Sequence, residues 1–180
     1  MAIAVANRYA RALGEVLGPQ GDYRRVLQEL DDFGATYGAN PDLRRLFESP
    51  TVTLEDKTKV LAAILERMGA APVTANFLRV VLANYRVNLT DQIREAFRKL
   101  AYQRLGLTEV RIDSAAWLSE TDQQTLRARF AELTGGQVEL KFHLNPELLG
   151  GILAQIQSTV YDGSIRGSLE RIRQQLGARR

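Results

Sequence analysis

The chain has 180 residues, 45% hydrophobic and 25% charged, which is enough apolar material for a folded core and argues against disorder. It has no cysteine and one histidine, His143, so disulfides, thiolate chemistry and multi-histidine metal sites are excluded. Residues 1–105 carry 15 basic and 12 acidic groups and residues 106–180 carry nine of each; the net charge of +3 is thus too small for a block that grips nucleic acid.

Helical periodicity dominates the first 105 residues. Ala6, Tyr9, Ala10, Leu13 and Leu17 form one stripe, closed by Gly18-Pro19. Tyr23, Val26, Leu27, Leu30, Phe33 and Tyr37 form a second, closed near Gly38. Asn40-Pro41 reads as a cap with proline at the first helical position, heading a short helix through Leu43, Leu46 and Phe47. Thr53 with Asp56 fits a capping box, and its helix carries Leu61, Ile64, Leu65 and Met68. Pro72 opens a fifth helix through Phe77, Leu78, Val81, Leu82 and Tyr85. Thr90-Asp91 opens a sixth, with Ile93, Phe97 and Leu100.

After Gly106 the period changes. Residues 107–112 alternate like a strand. Ser119 and Asp122 form a second capping box, heading a helix through Leu126, Phe130 and Leu133, which Gly135-Gly136 ends. Val138, Leu140, Phe142 and Leu144 alternate with Glu139, Lys141 and His143, and Ile152, Ala154 and Ile156 alternate again, giving two more strands. Asp162-Gly163 is a turn signal, and Ile165, Leu169, Ile172 and Leu176 mark a last helix. The expected fold is therefore α+β: a six-helix bundle over residues 1–105, then a β-α-β-β-α module over residues 106–180.

Chemistry is sparse along this chain. Gly150-Gly151 lacks the Lys-Ser/Thr of a phosphate loop and reads as a bulge or a close backbone approach. His143 falls on the polar side of a strand, without positioned partners. The acidic pairs Asp31-Asp32 and Glu55-Asp56 lie on helix surfaces or caps. The arginine pairs Arg24-Arg25 and Arg44-Arg45 alternate with acids, without the coherent basic stripe and stacking aromatics of a nucleic-acid groove. We expect no catalytic residue, cofactor, metal or small-molecule substrate. No apolar run approaches ~18 residues, so no membrane span is expected. The first residues lack a signal or transit pattern.

What remains is interaction surface. The first helix combines small residues with Ile3, Val5 and Tyr9, and the fifth is broadly apolar. Such helices can pack inside the bundle, the default for an apolar stripe. Alternatively, a groove between them can seat an amphipathic partner helix, as in a generic helical adaptor.

Residues 145–156, Asn-Pro-Glu-Leu-Leu-Gly-Gly-Ile-Leu-Ala-Gln-Ile, resemble the signature of the delta subunit of F-type ATP synthases, called OSCP in mitochondria. So does the stretch from Tyr161 through Asp162-Gly163-Ser164-Ile165-Arg166 to Leu169. Val5-Ala6-Asn7-Arg8-Tyr9-Ala10-Arg11-Ala12-Leu13 is similar to that family's opening helix. Residues 76–86, from Asn76-Phe77 to Asn84-Tyr85-Arg86, are similar to its fifth. The resemblance spans essentially the whole chain.

It implies a non-catalytic subunit of the peripheral stalk, the stator that holds the catalytic head against rotor torque and so couples proton flow to ATP synthesis. It implies that the helical domain receives the N-terminal helices of alpha subunits, and that the C-terminal module holds the C-terminal ends of the b subunits. Membrane association would be peripheral and indirect, at the cytoplasmic face of a bacterial inner membrane or, as the second reading, at the stromal face of a plastid thylakoid. The residues it assigns to the alpha-helix groove are Tyr9, Ala12, Phe77, Val80 and Asn84, with Leu13 and Val81 given to the core. Asp162, Gly163, Ser164 and Arg166 are expected to be structural: Gly163 for a positive-φ turn, Asp162 and Ser164 as backbone acceptors, and Arg166 paired with a nearby acid.

Overall fold

The computed structural model describes residues 2–156 and 158–167. The chain divides between Leu105 and Gly106 into two compact units.

The first unit is built from α1 (Ala2–Leu17), α2 (Tyr23–Ala39), α3 (Pro41–Glu48), α4 (Leu54–Met68), α5 (Pro72–Ala83) and α6 (Thr90–Leu105). Local chemistry sets the boundaries. Asp22, Asn40 and Thr53 accept backbone N–H bonds from Arg25, Leu43 and Asp56 at the starts of α2, α3 and α4. Gly69 takes a left-handed conformation (φ 63°) and ends α4. Helix α5 stops before Tyr85, two residues short of the expected stripe. Tyr85 takes the left-handed position (φ 54°) usually given to glycine, with Tyr85 N–H on Leu82 O and Arg86 N–H on Val81 O. Its exposed ring lies 5.7 Å from the Lys57 ammonium, a cation–π contact for an otherwise buried lysine.

The core fixes α1 against α2 and α6. The Tyr23 hydroxyl donates to Gly14 O (3.1 Å) and Gly18 O (2.9 Å), satisfying carbonyls at the end of α1. Its ring stacks on the fully buried Phe97 of α6, with centroids 6.0 Å apart. Gly14 faces Leu100, whose Cδ2 would lie 2.9 Å from an added Cβ, so any larger residue there would push the Leu100 side chain aside. Asp31 of α2 meets Arg98 Nη2 at 2.8 Å and Arg94 Nε at 3.3 Å, tying α2 to α6.

Helix α5 is held differently. Ala71, the residue before it, offers no side-chain cap. The Glu29 carboxylate of α2 fills that role. It accepts Ala71 N–H at 2.9 Å, the Thr74 hydroxyl, and Arg25 Nε at 2.9 Å. Arg25 also donates to Gly69 O at the end of α4 (3.4 Å). Burial opposes the charge on Glu29, but the bonds from Thr74, Arg25 and Ala71 outweigh it and hold its pKa below the ordinary value.

The second unit contains β1 (Leu107–Ser114), α7 (Glu120–Thr134), β2 (Gln137–Leu144), β3 (Ile152–Ile156) and β4 (Thr159–Asp162), with sheet order β2-β1-β3-β4. Strands β1 and β2 are parallel, joined across α7, and the other pairs are antiparallel. Val110, Ile112, Val138, Leu140 and Ala154 form the core with Phe130 of α7. Leu133, expected on the same stripe, is exposed.

The β-α-β-β-α expectation is corrected by one strand. Residues 159–162 form β4, with Ile156 opposite Thr159 and Leu153 opposite Asp162. Four exposed residues at a sheet edge bury no alternating face, so they leave no period to read. Residues 165–167 open a helical turn, and the remainder of the expected last helix, including Leu169, Ile172 and Leu176, lies outside the described residues.

Candidate functional site

The Asp162–Arg166 segment is a structural clasp. Asp162 Oδ1 accepts from Ser164 N–H (2.8 Å) and Oγ–H (2.6 Å), and Ser164 Oγ accepts Gly167 N–H (3.0 Å) as an N-cap. Gly163 N–H donates to Ile152 O and Ile165 N–H to Gly150 O, fastening the segment onto the start of β3.

One expectation for this segment needs correction. Gly163 does not have positive φ; the left-handed positions are Leu149 (φ 58°) and Gly151 (φ 79°). Gly163 instead sits close to β3: a Cβ there would lie a tight 3.2 Å from Ile152 O. At Gly151 a Cβ would meet Gly163 O and lie 2.9 Å from Ser164 Cα. The Gly150-Gly151 pair is thus a close backbone approach. Arg166 is exposed, and the acid four residues on, Glu170, lies outside the described residues, so the expected pairing of Arg166 falls outside them too. We expect Ser164→Ala to lower stability by about 1 kcal/mol, seen as a shifted urea midpoint.

The candidate interaction site lies in the helical unit. Arg8, Tyr9, Ala12, Leu13 and Val16 of α1 face Val73, Asn76, Phe77 and Val80 of α5, with Asn84 at its C-cap, across a groove of about 530 Å³. All five residues assigned to the groove line it. Leu13, Val16 and Val73 follow by helical spacing from Tyr9 and Phe77 at i+4, i+7 and i−4, the signal that could have found them, while Arg8 and Asn76 each directly precede one of the two aromatics. Leu13, assigned to the core, is buried and forms part of the floor, while the buried Val81 lies behind the wall.

The chemistry of this groove is apolar. Tyr9 and Phe77 meet edge to face with centroids 6.3 Å apart and join the two walls. Ala12 leaves a low point between larger neighbours. Val16 is 72% exposed and Val80 51%, so both rims present aliphatic surface to solvent. Asn84 Nδ2 donates to Val80 O (2.8 Å), which uses its amide to finish α5. At 1.5 Å per residue, the lined stretches of α1 and α5 run roughly 12–17 Å, about two to three turns of a third helix.

Among the described residues no cluster of His, Asp or Glu could hold a metal ion, and no helix is long and apolar enough to cross a membrane.

The comparisons with known proteins agree with this architecture. Residues 5–176 match the ATP synthase delta (OSCP) subunit family. An ATP synthase subunit delta of Acidobacterium capsulatum is 41% identical over 177 residues, covering 98% of this chain and 99% of that protein. Its counterpart in Koribacter versatilis is 31% identical over 176 residues, covering 97% and 98%. A chain of the Toxoplasma gondii mitochondrial ATP synthase hexamer shares the fold, with a TM-score of 0.73 at 22% identity, covering 95% of this chain and 96% of that one. The protein therefore belongs to the ATP synthase delta (OSCP) subunit family.

Proposed function

We propose that this protein is the stator joint of an F-type ATP synthase, working through its two units as separate domains. The helical bundle of residues 1–105 receives an alpha-subunit N-terminal helix in the groove between α1 and α5. The second unit holds the C-terminal ends of the b subunits. The subunit is non-catalytic, and its contribution to coupling is mechanical. Rotation of the central stalk would drag the catalytic head around unless the head is anchored, and that anchor needs binding energy and geometry rather than a reacting group. Membrane association is peripheral, through the stator, on the cytoplasmic face.

The groove is the observation that carries this reading. Two helices present apolar stripes toward one another and leave exposed valines on both rims, an arrangement that a third amphipathic helix completes. The α6 packing behind α1 and the Glu29 cap behind α5 hold the two walls from outside the groove. A partner helix thus meets a preformed surface and loses little to reordering.

The test is calorimetric titration with a synthetic peptide of the cognate alpha subunit's N-terminal ~20 residues, long enough for an amphipathic helix. One-to-one binding with negative ΔCp, the mark of apolar burial, is expected. A folded protein that leaves the peptide unbound would remove the groove assignment.

A further inference from the structure

Building on the groove reading above, we infer that the groove selects by charge: its occupant is an amphipathic helix whose apolar stripe is bordered by carboxylates. The groove lining contains one charged residue, Arg8, and no Asp or Glu. Arg8 has no ion pair among the described residues and stands exposed on the α1 wall. On the opposite wall, Arg79 Nη1 donates to Asn76 Oδ1 at 2.8 Å. Because Asn76 lines the groove, this bond places a second guanidinium at the α5 rim. Helix α5 contains no acid at all, and the one acid of α1, Glu15, lines a separate cleft with Arg11 and Leu100.

Each wall therefore offers an arginine that its own helix does not neutralise. Arg25, Arg94 and Arg98 of the same unit are by contrast matched to Glu29, Asp31, Asp91 or Glu95, whereas the groove lining offers Arg8 no acid. Arginine's planar fork suits carboxylates. An acidic border on the partner closes over Arg8 and Arg79 as the apolar stripe enters, which fixes the rotation of the helix in the groove. A basic amphipathic helix with the same apolar pattern meets like charge on both rims. That repulsion is the discriminating element, and it separates this groove from one that takes any apolar stripe.

The experiment uses the full chain and the alpha-subunit N-terminal peptide, titrated at 50 and 300 mM NaCl. Exposed pairs of this kind are worth up to about 1 kcal/mol. Arg8→Gln should then weaken binding about threefold at low salt and Arg8→Glu about tenfold. Both differences should shrink at high salt, where the screening length falls below ~10 Å. A peptide with the facing carboxylate changed to lysine should bind Arg8→Glu better than it binds the unaltered protein. If Arg8→Glu and Arg79→Glu leave affinity and its salt dependence unchanged while Val80→Asp abolishes binding, the charge inference fails and the groove reading survives. If the unaltered protein does not bind the peptide, both fail.

Discussion

Val80→Asp is expected to weaken binding of the alpha-subunit peptide by at least thirtyfold and to leave the melting temperature nearly unchanged. The two halves of this expectation have separate origins. Val80 is 51% exposed in the free protein, so an aspartate there keeps its water and the fold loses little. In the complex the same carboxylate would be covered by an apolar helix face, and a buried charge without a partner is costly. Apolar contacts that become buried on binding reach about 2 kcal/mol or more when they act as hot spots, which is roughly thirtyfold in affinity. Tyr9→Ala approaches the groove from the other wall. It removes the edge-to-face contact with Phe77 and deepens the trough, so it should weaken binding with a small loss of stability. The measurement is titration paired with thermal unfolding on each variant. Equal affinity for Val80→Asp and the unaltered protein would exclude this surface as the docking site.

How much of this was readable beforehand depends on the range of the interaction. Stripes such as Val26-Leu30-Phe33-Tyr37 and caps such as Thr53 or Ser119 act within a few residues, and those elements are found where spacing and capping chemistry put them. Strand β4 was illegible because four exposed residues at an edge carry no alternation. The Asp162-Gly163 turn chemistry was half legible. The side-chain acceptors are there, but the left-handed backbone has moved to Leu149 and Gly151, and Gly163 packs closely on Ile152 O without a positive φ. For the groove, periodicity alone left the apolar stripes of α1 and α5 open between core and surface. Which face stays unpaired depends on what α6 and α2 cover, and that is a tertiary fact.

The same logic explains why two arginine contexts look alike in sequence and differ in the fold. Arg25 and Glu29 sit four residues apart on α2, a spacing that reads as an ordinary surface pair. Arg8 has no such neighbour, yet it too reads as an ordinary exposed cation. Only the assembled bundle shows that Glu29 is turned toward α5 and that Arg8 lines the groove.

Glu29→Ala is expected to lower stability by about 3 kcal/mol and to weaken the partner peptide as well, although Glu29 does not line the groove. Its carboxylate bonds residues 42 and 45 positions away in sequence, so no local pattern announces it. Truncation strands the buried Thr74 hydroxyl and the part-buried Ala71 N–H at the start of α5, and an orphaned buried donor costs about 1–3 kcal/mol. Arg25 adds little to this sum because its side chain is 56% exposed. Releasing the start of α5 also loosens the wall that carries Val73 and Phe77, so peptide affinity should fall several-fold. Thr74→Val, combined with Glu29→Ala in a double-mutant cycle, isolates the coupling between the two side chains. The pH dependence has a definite sign. The folded pKa of Glu29 is depressed, so its contribution is full above the ordinary carboxylate range and is lost as pH falls through the folded value. Glu29→Gln removes that titration. The stability gap between the unaltered protein and Glu29→Gln should therefore be widest at neutral pH and close on acidification, as read by urea unfolding across the acid range. A gap that stays constant with pH would show that the carboxylate's charge does not hold α5 in place.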